Sequence, residues 1–205
     1  MTIKKRLSQI LGLKGNNRED YDQRQFILDA LPRHSTGVEI GVHEGDFSRL
    51  LLTHVRPARL HLIDPWEYRP EPEYAQSYYG GQAGVDQYNL DQRYNRVLKR
   101  LHKHLQKQQV IIHRQRSSKV TESFPPDYFD WIYIDGDHLY QQVRQDLEEF
   151  GQRVKPGGWI AGGGFRSGAW WCDGVVRAVE EYVASTPHQQ YITHGDQFLI
   201  RVALA

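Results

Sequence analysis

Val38-Glu39-Ile40-Gly41-Val42-His43-Glu44-Gly45, followed after a helix-like stretch by Leu60-His61-Leu62-Ile63-Asp64, decides how this 205-residue chain is read. An apolar run stops at a glycine-bearing turn, and about twenty residues past the turn a second apolar run stops at a carboxylate. That is the physical plan of a nucleoside-binding βαβ unit. The glycines let the backbone approach a ligand, and the acid accepts hydrogen bonds from ribose hydroxyls.

Outward from this unit the same alternation continues. Apolar spacing predicts helices over 21–31 (stopped by Pro32), 46–55, 90–108, 117–124, 140–150 and 174–184, the last capped by Asp173. Strands are expected over 37–42, 60–63, 110–113 and 130–134, then over 159–161 after a turn at 154–158. Segments 190–193 and 198–202, joined across Gly195-Asp196, read as a terminal hairpin. The expected fold class is α/β: a doubly wound, mostly parallel seven-stranded sheet with an antiparallel C-terminal edge hairpin.

Residues 1–35 are expected to be an N-terminal helical segment ahead of a domain spanning 36–205. Ile3, Leu7, Ile10 and Leu11 would make one face of a short helix docked on the body of the protein. Residues 66–90 place Trp66, Tyr68, Tyr74, Tyr78, Tyr79 and Tyr88 among prolines, glycines and glutamines. Such aromatic density suits an ordered insertion or lid rather than a linker.

Composition narrows the function. With 26 Lys+Arg against 25 Asp+Glu the formal charge is +1, which gives no reason to expect a nucleic-acid partner. Cys172 stands alone, so neither an intramolecular disulfide nor a cysteine-based zinc site can form, and a cytoplasmic setting fits. No run is long enough to span a bilayer, and no membrane partner is expected. Oligomeric state stays open, a homo-oligomer included.

In a doubly wound sheet, ligands gather at the carboxyl ends of the strands. Those ends carry Glu39, Gly41, Gly45, Asp64, Ser117 and the run Asp135-Gly136-Asp137-His138. With Asp146-Leu147 and Lys155-Pro156-Gly157-Gly158 at this spacing, the chain resembles the class I S-adenosylmethionine-dependent methyltransferases. Within them it is similar to the macrolide-sugar and novobiocin-type small-molecule O-methyltransferases. The resemblance covers roughly residues 36–202 and implies a Rossmann-like methyltransferase fold.

It implies that Glu39 and Gly41 line the methionine end of S-adenosylmethionine and that Gly45 starts the helix beneath it. Asp64 would take the ribose hydroxyls, and Ser117 and Ser118 the adenine edge. Asp135 would face both cofactor and acceptor, and His138 would be the general base on a hydroxyl of a small-molecule acceptor. A hydroxyl is a poor nucleophile near neutral pH, so a base or a metal ion is needed to activate it.

The related enzymes place two adjacent carboxylates after the fifth strand, where they hold magnesium with the acid after the fourth. Here that stretch is Ala161-Gly162-Gly163-Gly164-Phe165, and glycine supplies no side-chain oxygen. The expectation is therefore weak or absent metal binding, with magnesium doubtful. The readings that remain are an enzyme, either metal-independent and relying on His138 or with metal ligands that come from elsewhere, and a cofactor or partner binder that has lost catalysis. A nicotinamide-dependent dehydrogenase is a third, though the dense glycine fingerprint is missing after Gly41. The histidines other than His138, including His102 and His104, are expected to be solvated, as is the helical face of Lys99, Arg100, Lys103 and Lys107. Trp170-Trp171-Cys172 is expected to pack the core or the lid.

Overall fold

The computed structural model describes residues 17–81 and 86–204. The expected helix at Ile3 to Leu11 lies outside these residues. Seven strands form one sheet: β1 (Thr36–Ile40), β2 (Arg59–Ile63), β3 (Val110–His113), β4 (Phe129–Ile134), β5 (Val154–Gly162), β6 (His188–His194) and β7 (Gln197–Val202). Their order is β3-β2-β1-β4-β5-β7-β6. The first five run parallel, and β7 is antiparallel to both β5 and β6. The order reverses between β1 and β4, which opens a crevice at their carboxyl ends.

Among the described residues, five α-helices cover the two faces: α1 (Asn17–Ala30), α2 (Asp46–His54), α3 (Gln87–Gln106), α4 (Tyr140–Gly151) and α5 (Gly174–Ser185). Side chains alternate across the sheet, so Leu60, Leu62, Trp131 and Tyr133 pack with Ile27, Leu51, Val97 and Leu101 of α1, α2 and α3. Val38, Ile40, Ile132 and Ile134 face the other way, onto Val143 and Leu147 of α4 and Val175 and Val179 of α5. Each fully buried side chain of this kind contributes about 1.5–3 kcal/mol.

Several elements differ from the sequence reading. Residues 117–124 form two short 3-10 turns, Ser117–Lys119 and Thr121–Ser123, instead of an α-helix. The segment is too short to nucleate, carries β-branched Val120 and Thr121, and runs into Pro125-Pro126. The expected turn at 154–158 lies inside β5: Phe129 pairs with Val154, and a register irregularity before Trp131–Trp159 lets Pro156 and Gly157 sit in the strand. Lys155 fastens this stretch to Asp130 at 2.7 Å. Asp173 occupies the cap position of α5 but makes no side-chain capping hydrogen bond.

The solvated reading of the histidines fails at His61. It is 4% exposed, with Nδ1 3.0 Å from His113 Nε2 and Nε2 3.3 Å from the Tyr128 hydroxyl. Burial, with smaller contributions from His113 and Arg59, pushes its imidazole down to about 4. A histidine inside an apolar strand can be accommodated when both ring nitrogens find partners from neighbouring elements, and no sequence spacing announces them.

Candidate functional site

The glycine turn after β1 and the loop after β4 meet directly. Gly41 has φ +90°, and a Cβ there would collide with the backbone at Asp135 and Gly136. Only glycine lets the two strand ends approach this closely. Gly45, also at positive φ, is the N-cap of α2 and supplies no side-chain cap, so the first turn of α2 faces the crevice with its N–H groups uncapped by a side chain.

Glu39, at the carboxyl end of β1, is 1% exposed and accepts a 2.5 Å hydrogen bond from Ser48 on α2. Burial pushes its carboxyl up to about 8, against the opposing hydrogen bond from Ser48 and the charge of Arg24. Asp64 is equally buried and saturated with donors. Its Oδ2 accepts the N–H groups of Val42 and His43, each at 2.9 Å, and the Tyr79 hydroxyl at 2.5 Å. Its Oδ1 accepts the Trp66 N–H at 2.8 Å. Burial raises the Asp64 carboxyl, and these four hydrogen bonds pull the other way.

The insertion lies across the site. The Trp66 indole donates to the His43 carbonyl at 2.8 Å, and the His43 ring packs against Tyr78 and Tyr79 with centroids 5.3 and 6.1 Å away. Tyr74 donates to Asp137 at 2.5 Å and Arg69 reaches the same oxygen at 3.5 Å. Asp137 also accepts the Leu139 N–H, so this acid fixes both the insertion and the start of α4. Tyr88, counted with the insertion in the sequence reading, belongs to the first turn of α3 and is exposed.

After β4, Asp135 is held from several directions. Arg24 of α1 donates to Oδ2 at 2.9 Å, the Tyr133 hydroxyl lies 3.4 Å from the same oxygen, and His138 Nε2 lies 3.5 Å from Oδ1. Burial pushes the Asp135 carboxyl up, but Arg24 and His138 outweigh it and leave the group below the ordinary carboxylate range. The His138 ring stacks on Trp171 at 4.5 Å, with Trp170 edge-on at 6.4 Å. The packing role expected of Trp170 and Trp171 is thus exercised against the site histidine.

Ser117 and Ser118 sit in the turn after β3, which packs against α4. The Ser117 hydroxyl is tied to the buried carboxyl of Asp146 on α4, which burial pushes up to about 7. The adjoining cleft, about 540 Å³, is lined by Pro65, Trp66, Arg116 and Lys119, among others. One wall comes from Arg114, Gln115, Arg116 and Lys119 beside the serines, the other from residues 65–67 and Gln87, and neither serine is part of the lining.

The residues suit a nucleoside-bearing cofactor. The glycine cradle at Gly41, a buried carboxylate among backbone donors, and the buried Nε2 of His43, which has no partner among the described residues, converge at the strand ends. They do not suit magnesium. A Cβ at Gly163 would lie 2.6 Å from Asp135 Oδ1, and one at Gly164, whose φ is +72°, would enter the His138 ring. The space that side chains at these two glycines would need is filled by Asp135 and His138, and Asp135 already has a guanidinium partner. Among the described residues, no group of three or more His, Cys, Asp or Glu is arranged to hold a metal ion.

Arg24 and Ser48 were not singled out from the sequence, and Tyr74 and Tyr79 were read there only as aromatics of the insertion, with no partner among the site carboxylates. Ser48 was findable, being a hydroxyl in the first turn of the helix that follows the glycine turn. Arg24 and the tyrosines reach the site only through tertiary packing.

Strand order defines a doubly wound α/β protein whose strand order reverses between β1 and β4, the place where proteins of this class bind their ligands. Residues 38–163 match the methyltransferase domain family, and the chain belongs to this family of S-adenosylmethionine-dependent methyltransferases. The membership favours neither the dehydrogenase nor the binding-only reading. No curated protein sequence matches the chain significantly.

Solved structures with the same fold include a structural-genomics protein from Corynebacterium glutamicum, with TM-score 0.62, 14% identity, and coverage of 98% of this chain and 88% of that one. A SAM-dependent methyltransferase from Aquifex aeolicus gives TM-score 0.56, 15% identity, and 94% and 95% coverage. A Staphylococcus aureus protein, provisionally described as a caffeoyl-CoA O-methyltransferase, gives 0.59, 13%, and 99% and 93%. At these identities the likeness is one of fold. None of the described helices is long and apolar enough to cross a membrane.

Proposed function

We propose that this protein methylates a hydroxyl group of a small molecule without a metal ion, using His138 as the base. The observation that carries the reading is the pairing of His138 Nε2 with Asp135 Oδ1 at 3.5 Å, beside the crevice and against Trp171. When bound, S-adenosylmethionine supplies a methyl carbon on a sulfonium leaving group. His138 takes the proton from the acceptor hydroxyl as its oxygen forms a bond to that carbon and the carbon–sulfur bond breaks. Asp135 orients the imidazole and stabilises the imidazolium that results.

Cofactor placement follows the strand ends: Glu39 and Gly41 at the methionine portion, Gly45 at the start of α2, Asp64 at the ribose, and Ser117 and Ser118 towards the adenine. Tyr74, Trp170 and Trp171 offer the acceptor an aromatic wall, and the insertion from Trp66 excludes water. Alignment of hydroxyl and methyl supplies much of the rate enhancement, which suits a site with a base and no metal. The site lies in a protein with no excess of basic charge, which favours a small acceptor over a nucleic acid.

The test is methyl transfer to a panel of hydroxylated small molecules after chelator treatment, comparing wild type with His138→Gln. Product that forms without metal, with turnover lower by roughly 10²–10³ in the variant and unchanged S-adenosylhomocysteine affinity, is the expected result. Equal turnover by the two proteins removes His138 from the role, and activity only with added magnesium removes the metal-free reading.

A further inference from the structure

The loop between β5 and α5, residues 163–173, carries a cation next to the proposed base. Its shape is fixed by its own hydrogen bonds. The Gly164 carbonyl accepts both the Arg166 N–H at 2.8 Å and the Trp171 indole at 3.2 Å. At the tip the Gly168 N–H donates to the Cys172 carbonyl at 3.1 Å, and the Cys172 N–H to the Ala169 carbonyl at 2.9 Å. The Phe165 N–H donates to the Asp196 carbonyl at 2.8 Å, which ties the loop to the turn between β6 and β7.

This bracing puts two functional groups on one indole. His138 stacks on Trp171 at 4.5 Å, and the Arg166 guanidinium lies over the same ring at 5.2 Å. Arg166 is exposed, and among the described residues its side chain makes no ion pair and donates no hydrogen bond. Neither Asp173, at the end of the loop, nor Asp196, beside Phe165, pairs with it. The acids next to His138 already have partners: Asp135 is held by Arg24, and Asp137 by Tyr74 and Arg69. The charge left uncompensated among these groups is the positive one on Arg166. It stands at one end of an aromatic wall in which Trp171 meets Trp170 at 5.5 Å and Trp170 meets Tyr74 at 5.9 Å.

We infer that the methyl acceptor is an acid: its hydroxyl-bearing ring lies along Trp170 and Trp171, and Arg166 binds a carboxylate or phosphate on the same molecule. The planar fork of a guanidinium matches two oxygens of such a group, and stacking on an indole holds the fork without using its N–H donors. The inference rests on the hydroxyl reading proposed above and narrows its acceptor to an anionic class.

The experiment measures binding to the S-adenosylhomocysteine-loaded protein, and methyl transfer with S-adenosylmethionine, for hydroxybenzoates, hydroxyphenyl phosphates and the neutral hydroxybenzamides. Wild type should favour the acids over the amides by about 5- to 30-fold, carried by KM, with the preference shrinking as salt is raised. The benzoate and phosphate arms tell which oxyanion fits. Arg166→Gln should bring the acid-to-amide ratio to within about 2-fold of unity, and Arg166→Lys should regain part of the preference. No preference in wild type, no binding of acid or amide, or a preference that survives Arg166→Gln overturns the inference. Acid-selective binding that depends on Arg166, without methyl transfer, overturns the reaction proposed for His138 and leaves the inference standing; methyl transfer to the amides alone does the reverse. Failure of S-adenosylhomocysteine to bind overturns the cofactor placement, and the acid-to-amide comparison is then read on the protein alone.

Discussion

The hydroxyl of Tyr79 sits 2.5 Å from Oδ2 of Asp64, the carboxylate to which we assign the ribose in the proposed cofactor placement. With three backbone N–H groups already on Asp64, the tyrosine completes its set of donors. Ribose hydroxyls compete with that phenol for the same oxygen.

Tyr79→Phe removes the competitor and keeps the ring against His43. S-adenosylhomocysteine affinity should rise roughly 3- to 10-fold, as expected for one hydrogen bond no longer broken on binding. Calorimetry at one pH checks this, and a weaker complex would mean that Tyr79 assists the cofactor.

Gly164→Ala should destabilise the fold by about 1–3 kcal/mol, because φ +72° is strained for alanine and the new methyl enters the His138 ring. Turnover should fall along with stability as the imidazole is displaced. Urea denaturation and methyl transfer measured on the same preparation test both parts. An unperturbed variant would show that His138 has room to move.

Glu39 sets a pH dependence. Its folded-state value of about 8 lies above the ordinary 4.5, so the native protein keeps a proton that the unfolded chain releases across that interval. Its contribution to stability is complete below about 4.5 and is lost as pH rises through about 8. Glu39→Gln has no proton to lose. Its thermal midpoint relative to wild type should climb by roughly 5 °C or more between pH 5 and pH 9. A difference independent of pH in scanning calorimetry would contradict this.

His61 acts in the opposite sense. Its folded value of about 4 lies below the ordinary 6.5, so the unfolded chain binds a proton that the native state refuses. Stability from this group is present above about 6.5 and is lost as pH falls through about 4. His61→Phe fills the same strand position among Phe124, Phe129 and Tyr128 without a titrating group. The thermal midpoint of the variant should decline less than that of wild type between pH 7 and pH 4.5. Parallel decline would place the acid sensitivity elsewhere.

The sheet was legible because its signals are local. An apolar run such as Leu60 to Ile63 ending in an acid and a proline marks a strand and its end within six residues. The alternation of runs with helix-like segments then limits the topology. The site was legible where one strand end carries the group, as with Glu39, Asp64 and Asp135. The partners of those groups were not. Arg24 lies 111 residues from the acid it holds, and Tyr79 reaches Asp64 only because the insertion folds back over the turn. Residues 117–124 were misread for a related reason: the Ser117 hydroxyl is committed to Asp146, which periodicity does not encode.

The placement of β7 between β5 and β6 bears on how the protein is made. During synthesis the first five strands can pair in order while the edge of β5 stays bare, since its neighbour is encoded at Gln197–Val202. The contact from Gln23 to the turn at Asp196 joins residues 173 positions apart, so Arg24 is steadied only once those late strands have formed. Maturation of the candidate site thus waits for the synthesis of β7, and a nascent chain halted before Gln197 should carry the glycine cradle yet lack a moored α1.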